Sequence, residues 1–283
     1  MSATLSPAAS PGGSPGGSPT GPAPAAAPAR TPLAQVVGDC LTMTGRNLRH
    51  ITRNLENLLL AVALPIIILL LFVYVFGGAI DIGERYVNYV VPGIIMLCAG
   101  YGASLTAPGV ASDMANGIID RFRSMPVLPS AVLVGHVAAG VARNLLSTAL
   151  VVSAAFLTGF RPAATGADWL AALAVLTLYI TAMSWAAVAL GLLARTVEGA
   201  SGFTFAILFL PYLSSAFVPT ETMPAALRVI AEHQPVTPIT DTLRALMLGA
   251  SPGFDAVLAV AWGVAILVVG YASAACLYRR RSR

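Results

Sequence analysis

Lysine is absent from this 283-residue chain, and all 16 of its basic side chains are arginine. A phosphate-binding loop of the form GxxxxGK[ST] needs its lysine to reach the β and γ phosphates. The chain therefore supplies no ATP site of that type, and any work drawn from ATP must arrive through another polypeptide. Charge is scarce as a whole, at 10% of residues against about 25% in soluble domains. With 57% hydrophobic residues and a mean hydropathy of +0.80, the class that remains is an integral membrane protein. Acidic residues are missing from the interior of the long apolar runs, where Asp113, Asp168 and Asp255 stand at or beyond the edges. Ion-coupled carriers place a carboxylate at membrane depth, so secondary transport is disfavoured. Cysteine is limited to Cys40, Cys98 and Cys276, with no pair set in an oxidising loop, and three free thiols are expected. No nucleophile elbow, paired carboxylate or metal-ligand spacing occurs. Glu232 and His233 are adjacent, point in different directions on a helix and lack the HExxH spacing. No catalytic residue, metal site, bound cofactor or nucleic-acid partner is predicted.

What is present divides the chain into a tail and a membrane body. Residues 1–32 are almost wholly Pro, Gly, Ser, Ala and Thr, with the string SPGGSPGGSP and one charge at Arg30. Such a segment buries too little apolar surface to offset its ordering entropy, and a disordered cytoplasmic tail is expected. Six stretches have the roughly 20 apolar residues a spanning helix needs: 58–76, 89–111, 131–159, 169–193, 201–219 and 256–278. Six crossings put both termini on one side. One flank collects Arg30, Arg46, Arg49, Arg53, Arg121, Arg123, Arg195, Arg279, Arg280, Arg281 and Arg283; the other holds Arg85, Arg161, Arg228 and Arg244. The excess predicts cytoplasmic termini in a multi-pass plasma-membrane protein, with 279–283 as a basic cytoplasmic tail.

Before the first span, Val37, Leu41, Thr44, Leu48, Ile51, Leu55 and Leu58 draw one mostly apolar stripe along a helix over 33–57. Arg46, Arg49 and Arg53 lie off the stripe. The pattern predicts an amphipathic interfacial helix with those arginines near anionic lipid head groups; packing against a soluble partner is the plainer alternative. Spans two and five carry most of the breakers: Pro92, Gly93, Gly100 and Pro108 in the one, Pro211, Ser214 and Ser215 in the other. Broken helices are tolerated against other helices or a wet cavity, and small residues permit close approach. These positions are candidates for a pathway or dimer interface, with ordinary kinks as the alternative. Arg143, inside span three, either snorkels or pairs within the bundle, or meets an anionic substrate. Between spans five and six, Thr222 with Pro224 and Thr237 with Pro238 open two short external helices, the second closed by Gly249.

The segment NGIIDRFRSMP, Asn116 to Pro126, is charged where its surroundings are not. Ser112 or Asp113 can cap a short helix through Met114, Ile118, Ile119, Phe122 and Met125, stopped by Pro126. Asp120, Arg121 and Arg123 rim the aromatic knob of Phe122. The pattern suits a helix that inserts into a groove on a cytoplasmic partner; a solvated loop whose arginines only enforce topology also fits the charge bias.

The stretches GIIDRFRSMPVLPSAVLVG, FLPYLSSAFVPTETMP and AEHQPVTPITDTLRAL, in this order, resemble the permease subunits of ABC-2 type exporters, above all the actinobacterial daunorubicin and doxorubicin resistance branch. The resemblance covers about residues 33–278. It implies an all-α membrane domain over 58–278 with six crossings, a second permease copy as partner, and two separate ATP-binding subunits carrying ATP and Mg²⁺. It also implies that Gly117, Asp120, Arg121, Phe122, Arg123 and Pro126 form the ATPase-coupling helix. The function it implies is ATP-driven outward export of an amphipathic drug, secondary metabolite or lipid. A channel or ion-coupled carrier, and a structural anchor for a cytoplasmic protein, are the alternatives; neither would move substrate in response to ATP.

Overall fold

The computed structural model describes residues 55–79, 85–116, 129–194 and 196–281, and within them every regular element is helical. Helix α1 spans Leu55–Leu70 and runs into a π-helical turn, Leu71–Phe76. Helices α2 (Tyr86–Ser104) and α3 (Thr106–Ala115) follow in line, then α4 (Pro129–Leu157), α5 (Gly166–Leu193) and α6 (Val197–Phe209). After a 3-10 turn, Leu210–Leu213, come the short helices α7 (Ala225–His233) and α8 (Val236–Met247), and last α9 (Gly253–Arg281). Four stretches are long and apolar enough to cross a membrane: Tyr86–Ala115, Leu133–Leu157, Gly166–Leu193 and Gly253–Arg280. Val62–Phe76 and Val197–Leu213 are shorter apolar helices. The tail, the amphipathic stripe with Arg46, Arg49 and Arg53, and the segment from Gly117 to Pro126 lie outside the described residues.

Local chemistry sets the boundaries. Thr165 and Asp168 form a capping box at the start of α5: the Thr165 hydroxyl accepts from the Asp168 amide at 3.3 Å and the Asp168 carboxylate accepts from the Thr165 amide at 2.8 Å. Both orphan amides are thereby satisfied. Thr196 caps α6 in the same manner through the Gly199 amide, at 3.1 Å. Helices α4 and α8 end alike, on a left-handed glycine: Gly159 at φ 95° and Gly249 at φ 72°. In each the next amide reaches back to a carbonyl of the last turn, Phe160 to Ala155 at 3.1 Å and Ala250 to Ala245 at 2.8 Å. This is the Schellman closure, available to glycine because it has no Cβ to clash. The two closures also meet, since the Ala163 amide donates to the Met247 carbonyl at 3.1 Å.

The second apolar span is two helices joined at Leu105. Pro108 has no amide to offer Ser104, so the i to i−4 ladder is interrupted there. Asp113, read from sequence as a cap for a following helix, instead lies within the last turn of α3, its carboxylate 2.9 Å from His136 Nε2 on α4. That contact ties together the two helices flanking the segment 117–128. Two further capping expectations are corrected. Thr222 lies in a 3-10 turn and Pro224 precedes α7, while α8 opens after Pro235, one turn position ahead of Thr237. The Thr237 hydroxyl is occupied by tertiary contacts and has none to give its own helix end.

Helix α2 is the hub. Sixteen of its 19 residues are buried, which leaves it almost no surface for lipid. It is packed by α1, α4, α5, α6 and α8. Helix α9 lies along α5, with Gly270 against the Ala186 backbone and Tyr271 edge-on to Trp185 at 5.0 Å between ring centroids. The outward faces of α4 and α9 remain apolar and exposed, with Leu146, Leu150, Val257, Val268 and Val269 among them, as a lipid-facing surface requires.

Candidate functional site

At one end of the bundle the break after α6 is held by a polar latch. Ser214 leaves the 3-10 turn in extended conformation, and residues 214–217 then cross the first turns of α2. The Tyr89 hydroxyl donates to the Ser215 carbonyl at 2.8 Å and the Tyr86 hydroxyl to the Phe217 carbonyl at 2.9 Å. From α8, Arg244 donates to the Ser215 carbonyl at 2.7 Å and to the Tyr89 carbonyl at 3.2 Å, and its guanidinium lies 3.8 Å above the centroid of the Tyr89 ring. Asp241 pairs with Arg244 and accepts from the Ser215 hydroxyl at 2.7 Å. The Thr237 hydroxyl accepts from the Ser215 amide at 3.4 Å and donates to the Ala231 carbonyl at 2.5 Å. Burial raises the Asp241 carboxyl above the ordinary carboxylate range, against the opposing pull of the Arg244 cation and the Ser215 hydroxyl. Two of the three sequence stretches that carried the family resemblance thus converge on one structure. At its centre Gly93 of α2 meets the Ala216 backbone so closely that a Cβ would stand 2.7 Å from the carbonyl carbon.

Deeper in the bundle a polar seam runs between α2–α3, α4 and α5. Asn144 donates to the Ala99 carbonyl at 2.7 Å, and Arg143 donates to the Gly102 carbonyl at 3.1 Å, near the C-terminal end of α2. A cation is favourable there because the last carbonyls of a helix carry partial negative charge. Around these contacts, Thr106 Oγ1, Asn144 Oδ1, Ser147 Oγ, Tyr179 OH and Ser184 Oγ are buried without a hydrogen-bond partner. Glycines make room beside them. A Cβ at Gly100 would stand 3.3 Å from the Tyr179 hydroxyl, and one at Gly140 would stand 3.1 Å from Thr106 Oγ1.

Toward the latch from this seam lies an apolar cavity of about 260 Å³ among α2, α4, α5 and α8, with Ile95, Thr148, Trp169, Leu176 and Leu243 in its walls. An apolar chamber adjoining unsatisfied polar groups is able to take a molecule with both characters.

The sequence candidates fall into three groups. Pro92, Gly93, Pro211, Ser214 and Ser215 belong to or adjoin the latch; all five are buried within one copy of the chain. Gly100 and Arg143 belong to the seam, and half-buried Pro108 lies one turn beyond it, in α3. Gly117, Asp120, Arg121, Phe122, Arg123 and Pro126 lie outside the described residues, as do Arg46, Arg49 and Arg53. Asp241, Arg244, Tyr86 and Tyr89 were not singled out as interacting residues from sequence. The available signal was Asp241 three residues before Arg244, which places both on one helix face. Cys98 and Cys276 are free thiols, as expected, and Cys40 lies outside the described residues.

A model of the family described as ABC-2 type transporter matches residues 38–248, which contain the latch, the seam and the cavity. The chain is 30% identical over 223 residues to the daunorubicin resistance ABC transporter permease protein DrrB1 of Streptomyces coeruleorubidus, covering 78% of this chain and 79% of that one. It is 24% identical over 251 residues to the probable doxorubicin resistance ABC transporter permease protein DrrC of Mycobacterium tuberculosis, covering 87% of this chain and 90% of that protein.

Proposed function

The chain belongs to the ABC-2 type transporter family, and from that premise we propose that it is the permease half of an ATP-driven exporter of amphipathic compounds. ATP is hydrolysed on a separate subunit, in keeping with the absence of lysine from this chain. Two permease copies and two ATP-binding subunits make the working unit. Each copy crosses the membrane six times with both termini in the cytoplasm, the shorter apolar helices Val62–Phe76 and Val197–Leu213 supplying the first and fifth crossings. Drug, secondary metabolite and lipid all suit an apolar route, and the names of the two relatives favour a drug-like cargo.

The observation that carries this reading is the course of α2–α3. Its first turns are bound into the latch through Tyr86, Tyr89 and Gly93, and its last turn ends beside the segment that holds Phe122. A close-packed interior transmits displacement and does not absorb it. When ATP draws the partner subunits together, a push on the 117–126 segment passes along α2–α3 to the latch at the far end, where the break after α6 is held. Phe122 is the knob, Asp120, Arg121 and Arg123 the rim, and Pro126 the stop.

The test is reconstitution of the chain with its ATP-binding subunit in vesicles, following ATP-dependent flux of a fluorescent amphipathic amine. Phe122→Ala and Arg121→Ala/Arg123→Ala are expected to abolish flux and substrate-stimulated ATP turnover with membrane insertion unchanged. Full flux in those variants, or flux of equal rate from the permease alone without ATP, sinks the proposal.

A further inference from the structure

The apolar cavity and the polar seam are one helical turn apart on three helices at once. Ile95 and Ala99 on α2, Thr148 and Asn144 on α4, and Leu176 and Tyr179 on α5 are each spaced by three or four residues, which stacks them on one face. The first member of every pair lines the cavity. The second belongs to the seam: the Ala99 carbonyl accepts from Asn144, and Asn144 Oδ1 and the Tyr179 hydroxyl are buried without partners. Ser147, next to Thr148, adds a third orphaned group, and the three side chains are only 0%, 1% and 2% exposed for Asn144, Tyr179 and Ser147. A buried polar atom without a partner is destabilising by about 1–3 kcal/mol, so three at one level form a strong demand for hydrogen-bonding atoms. On the other side, Ala149 and Leu173 line the cavity and are themselves exposed on the outer surface of the bundle, where lipid lies.

We propose that cavity and seam are the two halves of one binding site, inside a single permease copy, for an amphipathic molecule with a narrow apolar body and a hydroxyl or carbonyl head. The body occupies the cavity, the head satisfies Ser147, Asn144 and Tyr179, and access is sideways from the bilayer past Ala149. A volume of about 260 Å³ lies just under the ~300–1,000 Å³ of pockets that enclose whole drug-sized ligands. The site therefore selects a slender body, an alkyl chain or a small ring system, and excludes a bulky one. Read as a substrate site, this rests on the export reading above; as a binding site it stands alone.

Trp169 in the cavity wall reports on occupancy. The permease, in lipid nanodiscs and carrying Trp185→Phe and Trp262→Phe, is titrated with 12-bromododecan-1-ol, whose terminal bromine quenches a nearby indole. Saturable quenching is expected. Ala149→Phe, which fills the mouth, weakens it about tenfold or more, and Ala149→Val is the milder variant if the first does not fold. Ser147→Ala weakens it about fivefold, the effect of one lost neutral hydrogen bond; 1-bromododecane, lacking the hydroxyl, does not saturate. Quenching that rises without saturation, as for Trp262 retained alone on the exposed face of α9, means simple partition into lipid and overturns the proposal. Saturation indifferent to Ser147→Ala and to the missing hydroxyl also overturns it, since water alone then satisfies the seam. The titration uses no ATP and no partner, so its failure leaves the export reading standing; conversely, absent ATP-dependent flux with saturable quenching retained removes the export reading only.

Discussion

Replacing Gly93 by alanine adds one methyl group at the place where α2 touches the chain break. The added Cβ would lie 2.7 Å from the Ala216 carbonyl carbon and 2.9 Å from its Cα, where ordinary contact begins at 3.4 Å, and closer still to the carbonyl oxygen. All three atoms are backbone, so no side chain can swing aside. The helix and the 214–217 strip must part by about 1 Å, a shift read from those separations. Tyr86 and Tyr89 ride on the same helix, and their bonds of 2.9 and 2.8 Å to Phe217 and Ser215 would stretch past the limit of useful hydrogen-bond length, about 3.5 Å. Two lost bonds are worth about 0.5–1.5 kcal/mol each, and forced overpacking adds about 1–3 kcal/mol. Against this stands about 0.5–1 kcal/mol of intrinsic helix preference for alanine over glycine. The net expectation is a destabilisation of about 2–5 kcal/mol. Denaturation of the purified protein by increasing mole fraction of sodium dodecyl sulfate, followed by helical circular dichroism, measures it. Gly202→Ala is the control, because nothing lies within 4 Å of its Cβ position and a gain of up to about 1 kcal/mol is expected. Equal midpoints for Gly93→Ala and the native chain would refute the close approach on which the latch depends.

Arg244→Lys preserves charge but not the planar fork that reaches Tyr89, Ser215 and Asp241 together, and a loss of about 1–3 kcal/mol in the same denaturation assay is expected; a native midpoint would show that a point charge suffices. Asp241 has a folded-state carboxyl raised by burial, so its protonated form is favoured by folding. The native chain should accordingly lose stability relative to Asp241→Asn as pH rises from the ordinary carboxylate range through the raised value, and a difference that grows in the native chain's favour would reverse the sign assigned. The Asp113–His136 contact at 2.9 Å predicts that the exchange Asp113→His/His136→Asp recovers at least half of the ATP-dependent flux lost in Asp113→Asn; no recovery would show that the pair is not the relevant contact.

The helices were legible because apolar runs of sufficient length, and the glycines, prolines and threonines that bound them, act through local chemistry. Gly249 closes α8 as expected, and Asp168 stands at the edge of its span because it caps it. The packing of those helices was not legible from hydropathy. In a membrane the lipid-facing and the buried side of a helix are both apolar, so the periodic contrast that identifies a core in water is weak; α2 and α9 read alike, yet one is the hub and the other lies at the rim. Short-range capping expectations failed where a tertiary demand was stronger. Thr237 gives its hydroxyl to Ser215 and Ala231 across the latch, and Asp113 turns to His136. Asn144, Ser147 and Tyr179 drew no notice for a related reason: single polar residues in apolar runs are common helix-packing elements, and only their meeting at one level below a cavity gives them a different meaning.

Helix α2 is synthesised before α4, α5, α6 and α8, the elements that later enclose it. Until they arrive, its notches at Gly93, Gly100 and Gly102 and the hydroxyls of Ser104 and Thr106 face lipid without partners. The nascent chain therefore passes through a stage in which its most polar, most indented helix is its least protected one. A ribosome that stalls after Ala115 leaves behind an intermediate that membrane quality control can distinguish from the finished protein by that surface alone. Substitutions that make α2 more uniformly apolar would ease its insertion and spoil its final packing, so biogenesis and assembly press on the same residues in opposite directions.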